Sequence, residues 1–162
     1  MLRAVSTTLT LAVALALGLP TLSAQEPKGA NPRAGTWHLN VAKSKYSPGP
    51  APKSHVLKVE TTGDSETVTS EMMPATGAKT VITYTASYDG KPYPIKGSEA
   101  ADTVMLKRID ANTSERIDSK NGKPTLTYTR AVSKDGKTMT VTIKGTNAQG
   151  EPVSNVIVFE KH

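Results

Sequence analysis

Apolar and polar residues alternate along most of the chain after residue 35. The segments TVITYTASY, TLTYTRAV and TMTVTIK, for example, place threonine between successive apolar residues. Because neighbouring side chains of a β-strand point to opposite faces, this alternation indicates strands with one buried and one solvated face. No segment after residue 25 has the period of an amphipathic helix, so we predict an all-β domain. Ten strands are predicted, at 35–41, 55–62, 66–73, 79–88, 91–96, 103–110, 114–120, 124–133, 137–145 and 153–160.

Short turns separate the predicted strands. The sequences YDGK, KNGK and KDGK contain Asp-Gly or Asn-Gly pairs, which supply the positive φ angles of tight hairpins. Strands joined by hairpins are neighbours, so the chain predicts an antiparallel up-and-down meander. Closing this meander into a barrel removes two exposed edges. A β-sandwich remains the alternative, because short strand patterns do not distinguish the two architectures.

The beginning of the chain differs from the rest. A basic residue, Arg3, is followed by an apolar run and then by small residues that end at Ala24. This order is typical of a secretory signal peptide, and the run is shorter than the roughly 20 residues that span a bilayer. We therefore predict cleavage after Ala24, a periplasmic or secreted protein, and no membrane span. Residues 25–34 are predicted to form a flexible leader, and residues 35–162 a single barrel domain.

The composition and charge of the chain argue against a nucleic-acid partner and against cysteine-based sites. The formal net charge is +6, aromatic residues make up 4% of the chain, and the lysines are interspersed with acids. Nucleic-acid-binding proteins gather basic residues on one face beside stacking aromatics, so no nucleic-acid partner is predicted. The chain contains no cysteine, which excludes disulfides, thiolate metal sites and thiol nucleophiles. We expect a monomer.

Two residues are unusual on strand faces that are predicted to point inward. Trp37, the only tryptophan, shares a face of the first strand with Leu39. Arg130 shares a face with Tyr128 and Val132. A buried guanidinium must be paired or must reach water, because burying a lone charge is costly. Three roles therefore remain open for Arg130: an internal salt bridge, a position at the barrel mouth, or a ligand anchor.

Several motifs carry a family resemblance. The Gly-x-Trp pattern of GTWHLN resembles the first strand of the lipocalins and fatty-acid-binding proteins, the calycin barrels. The segments LTYTRAVSKDGKTMTVTIKG and VIVFEKH resemble the last strands of a fatty-acid-binding protein. The chain is also similar to small exported bacterial proteins that carry GTWxLN before a proline-rich SPGPAPKS segment. The resemblance implies a calycin barrel that binds a small molecule, with a tryptophan closing one end.

The resemblance also implies particular site residues. Arg130 matches the strand position of an arginine that binds a carboxylate in fatty-acid-binding proteins. In lipocalins a basic residue from a late strand packs on the first-strand tryptophan, which implies Arg130 against Trp37. Ile157 and Phe159 stand where fatty-acid-binding proteins have an Arg-x-Tyr pair. The helical pair that covers those barrels has no counterpart in the proline-rich segment 42–54.

The sequence shows no motif for catalysis or metal binding. The three histidines, His38, His55 and His162, are far apart, and His38 falls on the outward face of its strand. A catalytic triad needs an inward histidine, and no G-x-S-x-G motif is present. We therefore predict no catalytic residues, no metal site and no cofactor.

The candidate ligand-binding residues are Arg130, Tyr128, Tyr84 and Trp37. Together with the barrel pattern they predict a non-enzymatic exported protein that binds a small apolar or amphipathic ligand in its interior. The alternative is a structural or interaction protein of the cell envelope, in which side chains fill the barrel.

Overall fold

The computed structural model describes residues 31–162, so the predicted signal peptide and residues 25–30 of the leader lie outside the described residues. All ten predicted strands are present, with shifted ends. They are β1 (Gly35–Lys45), β2 (Ser54–Thr62), β3 (Ser65–Met73), β4 (Thr80–Ser87), β5 (Pro92–Lys96), β6 (Thr103–Arg108), β7 (Thr113–Lys120), β8 (Lys123–Val132), β9 (Thr138–Thr146) and β10 (Pro152–Lys161). Residues 31–162 contain no helix that is long and apolar enough to cross a bilayer.

The strands form one closed antiparallel barrel. Each strand pairs with its neighbours in sequence, and β1 pairs with β10 to close the sheet. The predicted meander and its closure are confirmed, and the β-sandwich alternative is wrong. Closure pairs the backbone groups that two edge strands would otherwise expose.

One hairpin illustrates how local sequence sets the strand pairing. Asn121 and Gly122 join β7 to β8, with φ angles of 50° and 74°. Positive φ at two consecutive positions matches the right-handed twist of the flanking strands, and Asn-Gly adopts it at low cost. The KNGK sequence therefore forms the hairpin that it predicts.

The meander places its connections alternately at two ends of the barrel. The N-terminal end receives residues 31–34 and the turns at 63–64, 88–91, 109–112 and 133–137. The connector end carries the connections at 46–53, 74–79, 97–102, 121–122 and 147–151.

Alternation along the strands determines which residues face the interior. Arg130 is 3% exposed and lies on the same face as buried Val132. The register shift between β7 and β8 occurs at Asp118/Ser119, opposite the start of β8. From Leu126 to Arg130 the side chains of β8 therefore alternate without interruption between the two faces. The predicted inward orientation of Arg130 is confirmed.

At residues 31–34 the structure differs from the flexible leader that the sequence predicts. These residues form a turn in which the Ala34 amide donates to the Asn31 carbonyl at 2.9 Å. Arg33 is only 3% exposed, and its carbonyl accepts a 2.8 Å hydrogen bond from Trp37 Nε1. The polar, proline-containing sequence gives no sign of this ordered turn, because the residues that hold Arg33, Glu66 and Tyr88, lie far away in the chain.

The predicted packing of Arg130 on Trp37 is wrong. Lys161 of β10 covers the indole instead, with its Nζ 4.7 Å from the ring centroid. The reason is register: Trp37 and Lys161 are paired directly across β1 and β10. A basic residue of the last strand therefore covers the tryptophan.

Candidate functional site

A cavity of about 290 Å³ occupies the barrel interior. It runs from Arg33 and Arg130, near the N-terminal end, to His55 near the connector end. Its aliphatic and aromatic walls are formed by Leu57, Val68, Met72, Ile82, Leu126, Met139, Val141, Ile143, Val153, Ile157 and Phe159. The members of this set at the connector end, such as Leu57 and Leu126, are only partly buried, so the cavity opens at that end.

A buried ionic cluster lies toward the N-terminal end of the cavity. Glu66 of β3 is 0% exposed. Its Oε1 accepts hydrogen bonds from Arg130 Nη1 at 2.8 Å and from Tyr84 Oη at 2.7 Å. Its Oε2 accepts from Arg33 Nη1 and Tyr88 Oη. We call these five residues the Glu66 cluster; it ties β3, β4 and β8 to the turn at 31–34.

Electrostatics keep the Glu66 cluster charged. Burial disfavours the ionised form of Glu66, but Arg33 and Arg130 outweigh burial and hold the pKa of Glu66 far below its usual range. Burial likewise disfavours the charge on Arg33, but Glu66 outweighs it and raises the pKa of Arg33. The cluster therefore contains two guanidinium groups and one carboxylate.

Both arginines of the Glu66 cluster keep an unused donor. Arg130 Nε donates to Ser114 Oγ at 3.1 Å, whereas its Nη2 is buried and has no hydrogen-bond partner within residues 31–162. Arg33 Nε is also buried without a partner in the described part of the chain. Such donors are costly to bury, because they lose water without gaining another acceptor.

A third arginine lies midway along the cavity. Arg116 of β7 makes two hydrogen bonds to Asp118, Nε to Oδ1 at 2.6 Å and Nη2 to Oδ2 at 2.7 Å. Its guanidinium is also 4.7 Å and 4.6 Å from the ring centroids of Tyr84 and Tyr128. Burial disfavours its charge, but the neighbouring Tyr84 and Asp118 outweigh burial and raise the pKa of Arg116. The two rings and the paired carboxylate hold the guanidinium in place.

Two further polar residues line the cavity near the connector end. His55 Nε2 lies 2.8 Å from Ser70 Oγ, and the His55 ring packs edge-on against Phe159 at a centroid distance of 5.1 Å. Tyr46, which follows β1, contributes its ring to the same cavity. His55 Nδ1 and Tyr46 Oη are buried and have no hydrogen-bond partner in residues 31–162.

The structure brings three of the four predicted ligand-binding residues together. Arg130, Tyr128 and Tyr84 all line the cavity. Trp37 does not; it is 0% exposed and packs beneath the 31–34 turn at the N-terminal end. The internal salt bridge considered for Arg130 exists, since it pairs with Glu66, and Arg130 also lines the cavity.

The polar residues of this site that sequence reasoning missed include Glu66, Arg116, His55, Arg33 and Tyr46. Glu66 and Arg116 each lie an even number of positions from other inward residues of a predicted strand. The period-two pattern could therefore have assigned both side chains to the interior. His55 begins a strand, where alternation is too short to assign a face. Arg33 carried no signal, because it precedes the first strand. Tyr46 carried no signal, because it lies in the proline-rich segment 42–54.

The structure corrects the expected separation of the histidines. His38 and His162 lie side by side, with ring centroids 4.4 Å apart, and His55 lines the cavity. Within residues 31–162 no three His, Asp or Glu side chains are grouped so as to hold a metal ion.

Comparison with known proteins identifies the fold. No protein-family model and no curated protein matches the sequence. Among solved structures, the chain is similar to the zebrafish ileal bile acid-binding protein complexed with cholic acid, with a TM-score of 0.52 and 15% sequence identity. The match covers 81% of this chain and 99% of that one. The ten-stranded closed meander thus has the calycin barrel fold, of the type seen in the fatty-acid-binding proteins.

Proposed function

We propose that this protein is an exported, non-enzymatic binding protein that holds a small amphipathic molecule inside its barrel. The anionic head group of this molecule contacts the arginines, and its apolar part lies along the aliphatic walls toward the connector end. The order of residues in the first 24 positions supports export. The proposed unit is a monomer, since one chain closes the barrel and surrounds the cavity.

One observation carries this proposal: three arginines and no carboxylate are among the described residues that line the cavity. Arg33, Arg116 and Arg130 reach the cavity wall, whereas their partners Glu66 and Asp118 lie behind it. These five groups sum to one positive charge. A ligand anion would compensate this charge and accept from the unused donors of Arg33 and Arg130.

The size and polarity of the cavity favour a small amphipathic ligand over a purely apolar one. Ligand pockets usually measure about 300–1,000 Å³ and combine apolar walls with a few placed polar groups. At about 290 Å³, this cavity lies just below the lower end of that range, which favours a small ligand. The similar barrel of the zebrafish protein is a bile acid-binding protein and was solved with cholic acid. The cavity also argues against a barrel filled entirely by side chains.

The test is a head-group comparison by isothermal titration calorimetry on the unmodified protein. Dodecanoate, dodecanol and dodecylamine share one chain and differ in charge. We expect dodecanoate to bind at least about tenfold more tightly than dodecanol, because hydrogen bonds to charged groups contribute roughly 1.5–3 kcal/mol. Dodecylamine should bind most weakly.

Two variants locate the binding. Leu126→Trp places bulk at the partly exposed end of the cavity and should abolish binding, whereas Ile109→Trp adds the same bulk at a position that is 58% exposed and outside the cavity. Equal affinities for dodecanoate and dodecanol would refute the proposal that the arginines bind an anionic head group. Absence of binding by all three amphiphiles would overturn the binding function and favour the interaction protein.

A further inference from the structure

We infer that the connector end of the cavity contains a second polar subsite, formed by His55 and Tyr46, that binds a neutral hydroxyl group at the far end of the ligand. This inference rests on the proposed function, and it specifies the ligand class. The ligand is then an elongated amphipathic anion with a second, uncharged hydrogen-bonding group.

The contacts of His55 and Tyr46 leave two polar atoms to be satisfied. His55 uses Nε2 for Ser70 Oγ, and its ring is held by Phe159. Its Nδ1 and the Oη of Tyr46 are both buried, yet neither has a hydrogen-bond partner in the part of the chain that the structure describes. Burying an unsatisfied polar atom is costly, because the atom loses its hydrogen bond to water, and both residues line the cavity. A ligand hydroxyl both donates and accepts, so it suits this pair.

The charge state of the two residues favours a neutral group over a second anion. Burial, assisted by the nearby charge of Arg116, lowers the pKa of His55 to about 4. Burial raises the pKa of Tyr46 to about 12. At neutral pH both side chains are therefore uncharged, and they offer no compensation for a buried negative charge.

The two subsites are separated along one strand. Ser70, which anchors His55, lies four residues after Glu66 on β3. At about 3.3 Å per residue, this spacing separates the Cα atoms of Glu66 and Ser70 by roughly 13 Å. A compact anion cannot reach both, whereas an extended chain with a terminal hydroxyl can.

The experiment compares dodecanoate with ω-hydroxydodecanoate by calorimetry on the wild-type protein and on Tyr46→Phe. This substitution removes only the hydroxyl, so the fold is retained. We expect Tyr46→Phe to weaken binding of the hydroxy acid by about three- to tenfold, the effect of one hydrogen bond, and to leave dodecanoate binding unchanged. His55→Phe should discriminate in the same way. Tyr93→Phe is the matched control, because Tyr93 Oη donates to Asp89 at the protein surface.

The outcomes separate this inference from the proposed function. If dodecanoate binds more tightly than dodecanol, but Tyr46→Phe and His55→Phe affect both acids equally or neither, the subsite is refuted and the proposed function stands. If neither acid binds the wild-type protein, both proposals are overturned. Selective loss of the hydroxy acid supports the subsite.

Discussion

Replacing Glu66 by glutamine should destabilise the barrel more than any surface substitution on the same strand. Glu66 is 0% exposed and accepts four hydrogen bonds, two of them from Arg33 and Arg130. Glutamine keeps the shape but removes the charge, so two buried guanidinium groups lose their shared counter-ion. The Nε2 donor of glutamine also faces donors where a carboxylate oxygen accepted before.

The magnitude follows from the buried ion pairs. Removing one partner of a buried pair costs about 3–5 kcal/mol, which is a large part of the 5–15 kcal/mol that stabilises a typical domain. For a domain of this size the unfolding temperature should fall by roughly 10–20 °C. The assay is thermal and urea unfolding monitored by circular dichroism, with the free energy of unfolding extrapolated to water.

Two comparisons make the result interpretable. Glu71→Gln on β3 removes a surface ion pair with Lys79 and should leave the unfolding temperature essentially unchanged. The double variant Glu66→Gln, Arg130→Gln should lose less stability than the sum of the single variants, because the two side chains interact directly. A loss below about 1 kcal/mol for Glu66→Gln, or strict additivity in the double variant, would refute this account of the cluster.

Three further predictions concern pH, backbone and the N-terminal end. The pKa of His55 is about 4 in the folded protein and about 6.5 when unfolded, so the unfolded state binds more protons between these values. His55 should therefore contribute a loss of roughly 3 kcal/mol as pH drops from 6.5 to 4, and His55→Gln should remove that contribution in urea titrations, most visibly in the upper half of the range, where the carboxyl groups stay ionised in both states. Gly145→Ala should cost about 3 kcal/mol or more, because φ is +142° and the new Cβ would lie 2.0 Å from the Thr125 carbonyl oxygen. Trp37→Phe should cost roughly 2–3 kcal/mol, since it loses indole packing and the Nε1 hydrogen bond to the 31–34 turn.

Each of these predictions has a result that would contradict it. A pH profile that is the same in wild type and His55→Gln would mean that His55 titrates normally. Gly150→Ala, at φ +82° with no atom near the new Cβ, should cost only about 1 kcal/mol, so an equal loss at Gly145 would exclude the steric clash. A neutral Trp37→Phe would mean that the 31–34 turn is not held by the indole.

The fold was predictable from the sequence because its signals are local. Apolar and threonine residues alternate over each strand, and the Asn-Gly pair at 121–122 adopts the φ angles of a tight hairpin. Ten such segments joined by short turns predict an antiparallel meander. Pairing of its two edge strands favours closure into a barrel. The same alternation predicts that Arg130 faces the interior, because every second residue of an uninterrupted strand lies on the same face.

What surrounds Arg130 was decided by tertiary structure alone. Its carboxylate partner, Glu66, lies 64 residues away on β3, and the second cation of the cluster, Arg33, comes from a segment with no strand pattern. These contacts depend on the register and closure of the barrel, which local alternation does not encode. Closure also pairs Lys161 with Trp37 and so places the tryptophan at the end of the barrel away from the cavity. The sequence by itself thus determines the strands and their inward faces, whereas only the closed barrel determines which inward charges meet and which of them face a ligand.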